Sequence, residues 1–206
     1  MKRESETKRK LLEVAMKLIW EQSYGSVGVE DICKQAGVTK GSFYFAFPSK
    51  SDLAVAAFEA HWEMKKPLLD RVFSSQLSAQ EQIDRWCDAI VSDQMEKYKT
   101  FGKLCGCPYC CVGSELSTQD EKIRLKAEDM SERMTRYIVG FIRSAQAEGH
   151  IAKDDPSVLA QQMNDFVTGL IIRAKIENNP EALERLKPGV LRLLAWKDAP
   201  YEALSV

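Results

Sequence analysis

The sequence lacks the long apolar runs and the reactive motifs that mark membrane proteins and enzymes. No apolar run approaches the roughly 18 residues that a membrane-spanning helix needs, and the charged opening of the chain is unlike a secretion signal. Only two histidines occur, and no nucleophile-base-acid set, phosphate loop or paired-carboxylate motif is visible. These absences argue against a membrane protein and an enzyme, and they predict a cytoplasmic chain without a cofactor.

Alternating strand patterns and internal repeats are also missing, whereas apolar residues recur at helical spacing throughout. The pattern therefore predicts an all-α protein. A length of 206 residues accommodates one domain of about 150 residues and a small one. The predicted helices cover about 6–22, 29–35, 40–45, 50 to beyond 64, 78–98, 108–115, 119–148, 156–177 and 180–196.

The net charge of -1 hides an asymmetry between the front of the chain and the rest. Residues 1–50 carry nine Lys or Arg against six Asp or Glu, so they sum to +3 and the other 156 residues to -4. A mildly basic front on an acidic body fits the binding of a polyanion at one end of the protein.

Residues 29–53 have the pattern of a helix-turn-helix, in which one short helix braces a second. Gly37 stands where the chain needs a positive φ to turn. The hydroxyl of Thr39 is suited to cap the second helix, which Pro48 ends, and Ser49 is suited to cap the next one. The residues expected to face inward are Ile32, Ala36, Val38 and Phe43.

This segment resembles the TetR family of transcriptional regulators, whose signature here is Lys-Gly-Thr/Ser-aromatic-Tyr-x-x-Phe-x-x-Lys-x-x-Leu. The residues that match it in register are Lys40, Gly41, Ser42, Phe43, Tyr44, Phe47, Lys50 and Leu53. The likeness extends more loosely to the first helix, to the Gly-Cys-Pro segment at 106–108 and to the last two helices. It implies a three-helix DNA-binding domain over 1–49 and a helical bundle for sensing and dimerisation over 50–206.

The resemblance also implies which side chains meet DNA. They are Thr39 and Lys40 at the backbone, Gly41 at a point of close approach, Ser42 and Phe45 at base edges, and Tyr44 and Lys50 at phosphates. Two positions depart from the family pattern, because Ala46 stands where the family often has His and Gly28 replaces the usual Ser or Thr helix cap. Taken alone, Tyr44 and Lys50 could equally be solvated surface residues.

Four cysteines fall within seven positions, at Cys105, Cys107, Cys110 and Cys111. Three interpretations are open. The thiols can be small buried side chains, which carries the most weight. Cys107 and Cys110 can be a redox dithiol, with Pro108 placing Cys107 at a helix N-terminus that stabilises its thiolate. All four can bind a soft ion such as Zn(II) or Cu(I), although no second pair at zinc-site spacing accompanies them. Cys33 and Cys87 are expected in the core.

The later helices suggest a dimer and a pocket for an effector. Apolar residues at helical spacing lie at Leu159, Met163, Phe166, Leu170, Ile171, Leu183, Leu186, Val190, Leu193 and Leu194. In proteins of this resemblance such helices pair with their copies about a two-fold axis, and the alternative is an intramolecular core. The candidate pocket residues are Trp62, Trp86, Phe101, Cys107, Tyr137, Phe141 and Phe166, each of which is also an ordinary core residue by type.

Together these observations predict a homodimeric repressor that binds operator DNA and is released when a small molecule, or a redox or metal signal, reaches the C-terminal domain. In that mechanism the effector favours a conformation in which the fourth helix pivots and separates the recognition helices. The alternative is a redox or metal sensor or buffer built on the cysteine cluster.

Overall fold

The protein is described by a computed structural model that covers residues 2–22 and 24–197, and every regular element in those residues is helical. The all-α prediction is therefore confirmed, and the end of the predicted second domain, residues 198–206, lies outside the described residues. The elements are α1 (Lys2–Glu21), α2 (Val29–Ala36), α3 (Lys40–Ala46), α4 (Lys50–Val72), α5 (Ala79–Phe101), α6 (Pro108–Leu116), α7 (Glu121–Ala147), α8 (Pro156–Glu177) and α9 (Leu186–Leu193), with short 3-10 helices at Tyr24–Ser26 and Pro180–Arg185.

Local signals account for most helix boundaries. Ser78 caps α5 by accepting a hydrogen bond from the Glu81 amide at 3.2 Å, and the Glu81 carboxylate accepts one from the Ser78 amide at 3.0 Å. Pro108 and Pro156 occupy the first positions of α6 and α8, where the missing N–H costs no hydrogen bond. The helix starts that these residues predict are thus found within one or two positions.

The last predicted helix is wrong as a single element over 180–196. The chain forms the 3-10 helix Pro180–Arg185, and α9 begins only at Leu186. Pro188 explains the break, because a continuous helix would need its absent N–H to bond the carbonyl of Glu184, whereas in the first turn of α9 that N–H has no partner to lose. The helix ends before Ala195, whose φ is 47°.

The chain packs as two compact units, Met1–Pro67 with Cys105–Ser131, and Leu68–Leu104 with Glu132–Val206. Helices α4 and α7 contribute residues to both. The core of the first unit includes Leu11, Ile32, Phe43, Phe58, Val112 and Ile123, and that of the second includes Ile83, Trp86, Phe141, Met163 and Val190. This division describes packing, and the functional boundary at residues 49 and 50 stays a prediction.

None of the helices in the described part of the chain combines the length and the apolar character required to cross a membrane.

A glycine in α6 makes the packing of the first unit testable. A Cβ added at Gly113 would lie 2.8 Å from the Cβ of Ala127 in α7. Because that Cβ is fixed to its backbone, we expect Gly113→Ala to lower the free energy of unfolding by about 1–3 kcal/mol. The control Gly140→Ala in α7 meets no atom within 4 Å and should raise it by up to about 1 kcal/mol. Urea unfolding followed by circular dichroism measures both, and equal stabilities would contradict the close approach of α6 and α7.

Candidate nucleic-acid interface

Helices α2 and α3 are joined by a tight turn that their own residues specify. Gly37 has φ 63° and ψ 37°, as its position predicted, and the Val38 amide bonds the Cys33 carbonyl at 3.0 Å to close α2. Thr39 then caps α3, its hydroxyl accepting from the Ser42 amide at 3.1 Å. At the other end of α2, Gly28 offers no side-chain cap, and Asp31 instead accepts from the Gly28 amide at 2.9 Å. The predicted helix-turn-helix is therefore present.

One side of α3 is buried in the core of the first unit. Phe43 is fully buried and Phe47 nearly so, with ring centroids 6.4 Å apart. Ile32 and Ala36 of α2 are buried as predicted, and Val38 is half-buried. A helix of seven residues is too short to be stable by itself, so this burial is what holds α3 in place.

The opposite side of α3 is open to solvent. Tyr44 is 54% exposed and Phe45 is 76% exposed. Gly41 is exposed, and Ser42 is half-buried with its hydroxyl 2.9 Å from that of Thr39. Lys40 forms an exposed ion pair with Glu30, which raises the pKa of the lysine. The contacts of these side chains with DNA stay predictions.

Lys50 has a structural role that the sequence did not reveal. Its Nζ donates to the carbonyls of Tyr24 and Val27, both at 2.6 Å, and lies 4.0 Å from the centroid of the Tyr24 ring. Burial of the half-buried ammonium lowers the pKa of Lys50. The lysine thus ties the start of α4 to the turn after α1. Two of its three N–H bonds are used, so a phosphate contact, which stays a prediction, would use the third.

A small cavity of about 10 Å³ is lined by Lys50 and by apolar residues of α1, α2, α4 and the connection between α1 and α2. A volume of this size holds at most one water molecule. It is therefore a packing defect of the first unit rather than room for an effector.

The seven candidate pocket residues divide between the two units. Trp62 and Cys107 belong to the first, and the other five to the second. Trp86 and Phe141 are almost fully buried, and Phe141 stacks on Trp196 with ring centroids 6.0 Å apart. Of the five in the second unit, Phe101, Tyr137 and Phe166 are half-buried, with the Tyr137 hydroxyl bonded to the Asp70 carboxylate and Phe166 packed against the core. In the first unit Trp62 is buried and Cys107 is half-buried. Trp86 and Phe141 act as core residues here, and the pocket stays a prediction.

All six cysteines are reduced, and two of them lie in cores as predicted. Burial raises the pKa of Cys33, and it raises the pKa of Cys87 to about 12. Cys107 is the N-cap of α6, as Pro108 predicted. The expectation of a stabilised thiolate there is wrong, because a hydrogen bond with the Cys110 thiol, together with burial, raises the pKa of Cys107 well above its ordinary value.

The metal interpretation of the cysteine cluster finds no support in the described residues. Within them, no three side chains of His, Cys, Asp or Glu lie close enough together to share an ion. Cys105 is buried, and the Cys111 Sγ lies 3.9 Å from the Cys105 carbonyl oxygen. The donor set Cys105, Cys107, Cys110 and Cys111 therefore does not converge on one point.

The cysteine-bearing helix α6 is built into the same unit as the helix-turn-helix. The Tyr109 hydroxyl lies 2.7 Å from His61 Nδ1 of α4, and its ring contacts Phe58 edge-on at 5.2 Å. Glu115 accepts a hydrogen bond from the Gly25 amide, just after α1, at 2.9 Å. Sequence reasoning missed these residues, because partners 48 to 90 positions apart leave no local signal.

Comparisons with known proteins agree with this architecture. Residues 11–57 match the family model of bacterial regulatory proteins of the tetR family, and residues 79–190 match that of the tetracyclin repressor-like C-terminal domain. The chain is 32% identical over 174 residues to the transcriptional regulator AcuR of Cereibacter sphaeroides, covering 84% of this chain and 78% of AcuR. It is 25% identical over 194 residues to the transcriptional repressor NemR of Escherichia coli, covering 93% and 96% of the two chains.

The fold of a solved relative matches as well. A crystal structure of the regulatory protein TetR from Rhodobacter sphaeroides superposes with a TM-score of 0.78 at 29% identity, covering 90% of this chain and 97% of the other. These relatives are described as regulators of transcription and not as enzymes.

The two hydrogen bonds from Lys50 to the carbonyls of Tyr24 and Val27 predict a stability effect that is separate from DNA binding. Lys50→Met keeps the apolar stem and removes the ammonium, so two buried carbonyls lose a charged donor. We expect the free energy of unfolding to fall by about 1–3 kcal/mol. Lys40→Met removes an exposed ion pair and should leave the urea midpoint nearly unchanged. If Lys50→Met unfolds at the same urea concentration as the parent protein, these two hydrogen bonds do not stabilise the fold, and the predicted phosphate contact is the remaining role of Lys50.

Proposed function

This chain belongs to the TetR family of bacterial transcriptional regulators, and on that premise we propose that it is a homodimeric, cytoplasmic repressor that a small molecule releases from its operator. The observation that carries this proposal is the two-sided character of α3. Phe43 is sealed in the core while its neighbours Tyr44 and Phe45 stand exposed. A short helix anchored on one side and open on the other can enter a major groove.

The division of labour on α3 follows from the chemistry of its side chains. Hydroxyl and ammonium groups at Thr39, Lys40, Tyr44 and Lys50 suit phosphate oxygens, which fix the position of the protein on the duplex. Ser42 and Phe45 would meet base edges, with the exposed Phe45 ring suited to the methyl group of thymine. Gly41 carries no Cβ, and the nearest atom to an added one is the Thr39 hydroxyl oxygen at 3.8 Å, so the backbone can approach the groove wall closely.

A single helix of seven residues makes too few base contacts for useful specificity, which is why we propose a dimer. A two-fold dimer presents two recognition helices to a pseudo-palindromic site. Val158 and Ile176 of α8 are 51% and 79% exposed. Their 18-residue separation is five helical turns, so they share one face of α8. Burial of this face against a second copy would account for its apolar residues.

Release by an effector requires that the effector prefer the conformation that does not bind DNA. It weakens operator binding only by its ratio of affinities for the two states. We propose that its pocket lies among the aromatic residues of the C-terminal domain. Movement of α4, which begins at Lys50 shortly after α3, would then change the separation of the two recognition helices. A candidate effector that leaves operator affinity unchanged at a saturating concentration would be excluded.

The proposed reading of bases predicts different effects for two neighbouring aromatic residues. Fluorescence anisotropy with the DNA that flanks the protein's own gene, compared with scrambled DNA over a range of salt, measures both. We expect Phe45→Ala to lower operator affinity about tenfold, with little effect on scrambled DNA. Tyr44→Phe, which removes only a hydroxyl, should weaken binding to both DNAs alike. If Phe45→Ala leaves the ratio of the two affinities intact, Phe45 does not read bases.

The proposed dimer predicts that a charge on α8 separates the protomers. Ile176→Glu should raise the dimer dissociation constant at least tenfold, since a carboxylate would have to be desolvated at the interface. Met64→Glu is the matched control, because Met64 is 62% exposed but lies on α4 in the first unit. Sedimentation velocity over a concentration series measures both. An unchanged dimer in Ile176→Glu would rule out this face of α8 as the interface.

A further inference from the structure

We propose that Cys107 and Cys110 form a dithiol-disulfide switch at the first turn of α6, closed by a hydroperoxide, which weakens operator binding through the contacts of α6 with α1 and α4. The inference rests on the proposed DNA-binding function and adds a second, chemical input to it. It concerns residues of the first packing unit only, the unit that also holds the helix-turn-helix.

The position of the two thiols is the first argument. Cys107 is the N-cap of α6, Pro108 is its first residue, and Cys110 follows within the same turn. Both cysteines are half-buried, and their thiols are hydrogen-bonded to each other. Residues three apart in a helical turn are neighbours on its surface, so a disulfide can join these two cysteines without a change of fold.

The other four cysteines are placed differently. Cys33 and Cys87 are buried in separate cores, and burial raises the pKa of each thiol. Cys105 is 2% exposed, and Cys111 directs its sulfur toward the Cys105 carbonyl oxygen. Cys33, Cys87 and Cys105 are therefore shielded from an oxidant by burial, and of the three half-buried thiols Cys107 and Cys110 are the two that are hydrogen-bonded to each other.

The oxidation balances with a hydroperoxide as the two-electron acceptor. The Cys110 sulfur attacks the O–O bond, which forms a sulfenic acid on Cys110 and releases an alcohol, or water when the oxidant is hydrogen peroxide. The Cys107 sulfur then attacks the Cys110 sulfur and displaces the sulfenic oxygen as water. Two thiols have lost two electrons and two protons, and the peroxide oxygens have taken them up. A thiol reductant reverses the change by exchange.

The contacts of α6 provide the route from this turn to the DNA-binding helices. Tyr109 lies between the two cysteines in sequence, and it packs on Phe58 and bonds His61, both on α4. Val112 belongs to the same core as Phe43, and Glu115 holds the amide of Gly25 after α1. A change in the first turn of α6 therefore acts on helices that flank α3.

The packing of α6 leaves it little freedom to absorb such a change. An added Cβ at Gly113 would lie 2.8 Å from that of Ala127, so α6 is in tight contact with α7. Because packed helices respond to local strain by shifting as units, closing the disulfide is expected to move α6 against α1 and α4 rather than to distort one turn alone.

The test uses the purified full chain, first reduced and then treated with a small excess of hydrogen peroxide. Peptide mapping by mass spectrometry identifies the disulfide, and anisotropy with the operator fragment measures affinity before oxidation, after it and after dithiothreitol. We expect a Cys107–Cys110 link, an operator affinity at least tenfold lower, and full recovery with the reductant. Cys110→Ser should bind the operator in both conditions, and Cys111→Ser should still switch.

Trapping separates the two cysteine roles. In Cys107→Ser the sulfenic acid has lost its resolving thiol, so dimedone should label Cys110 after peroxide treatment. Because this labelling is measured without DNA, it reports on the chemistry whether or not the operator is bound.

Each contrary result has its own meaning. The switch is overturned if peroxide forms no Cys107–Cys110 link, if the link forms and operator affinity is unchanged, or if Cys110→Ser is still inactivated. If the fully reduced protein does not bind the operator at all, the proposed function fails instead, and the map of the disulfide then shows only whether the dithiol chemistry exists.

Discussion

The packing of the DNA-binding head, meaning helices α1 to α4 with the helix-turn-helix, depends on the burial of Phe43 and Phe47. Helix α3 has seven residues, which is below the length at which a helix is stable in water. The two rings fix it to the core formed with α1, α2 and α4. Because successive residues of a helix point in different directions, sealing Phe43 inward leaves Tyr44 and Phe45 outward. The exposure of the recognition surface is thus a consequence of the same packing that holds the helix.

The head is more extensive than a three-helix unit. Helix α6 and the start of α7 share its core through Val112 and Ile123, and the ion pair between Asp52 and Lys122 at 2.7 Å joins α4 to α7. Signals that reach α6 therefore act inside the unit that presents α3. In the proposed switch, a chemical event at the first turn of α6 acts on DNA binding through these shared contacts with α1 and α4.

Charge placement shows that one side chain type can serve two purposes. Lys40 is exposed and paired only with Glu30, whereas Lys50 is half-buried over Tyr24 and bonded to two carbonyls. Both fit the family signature, and a signature records residue type alone. Their surroundings decide that Lys50 stabilises the start of α4 before any DNA is present. A similar distinction holds for the cysteines, whose environments, rather than their spacing, set which thiols can react.

The sequence by itself determined the helical class, the helix-turn-helix and its turn, because those depend on residues only a few positions apart. Gly37 supplies the positive φ, Thr39 and Ser49 the caps, and the alternation of Phe43 with Tyr44 the inward and outward sides. The break in the last predicted helix also has a local cause, Pro188, but the apolar periodicity over 180–196 favoured one continuous helix. Only the tertiary structure decided that Lys50 bonds Tyr24, that Tyr109 bonds His61, and that the pKa of Cys107 is raised rather than lowered. The first two bonds join groups 26 and 48 positions apart. The pKa of Cys107 is raised mainly by its hydrogen bond to Cys110, three residues away, and then by burial, and the sequence alone does not show which side chains bond or which are buried.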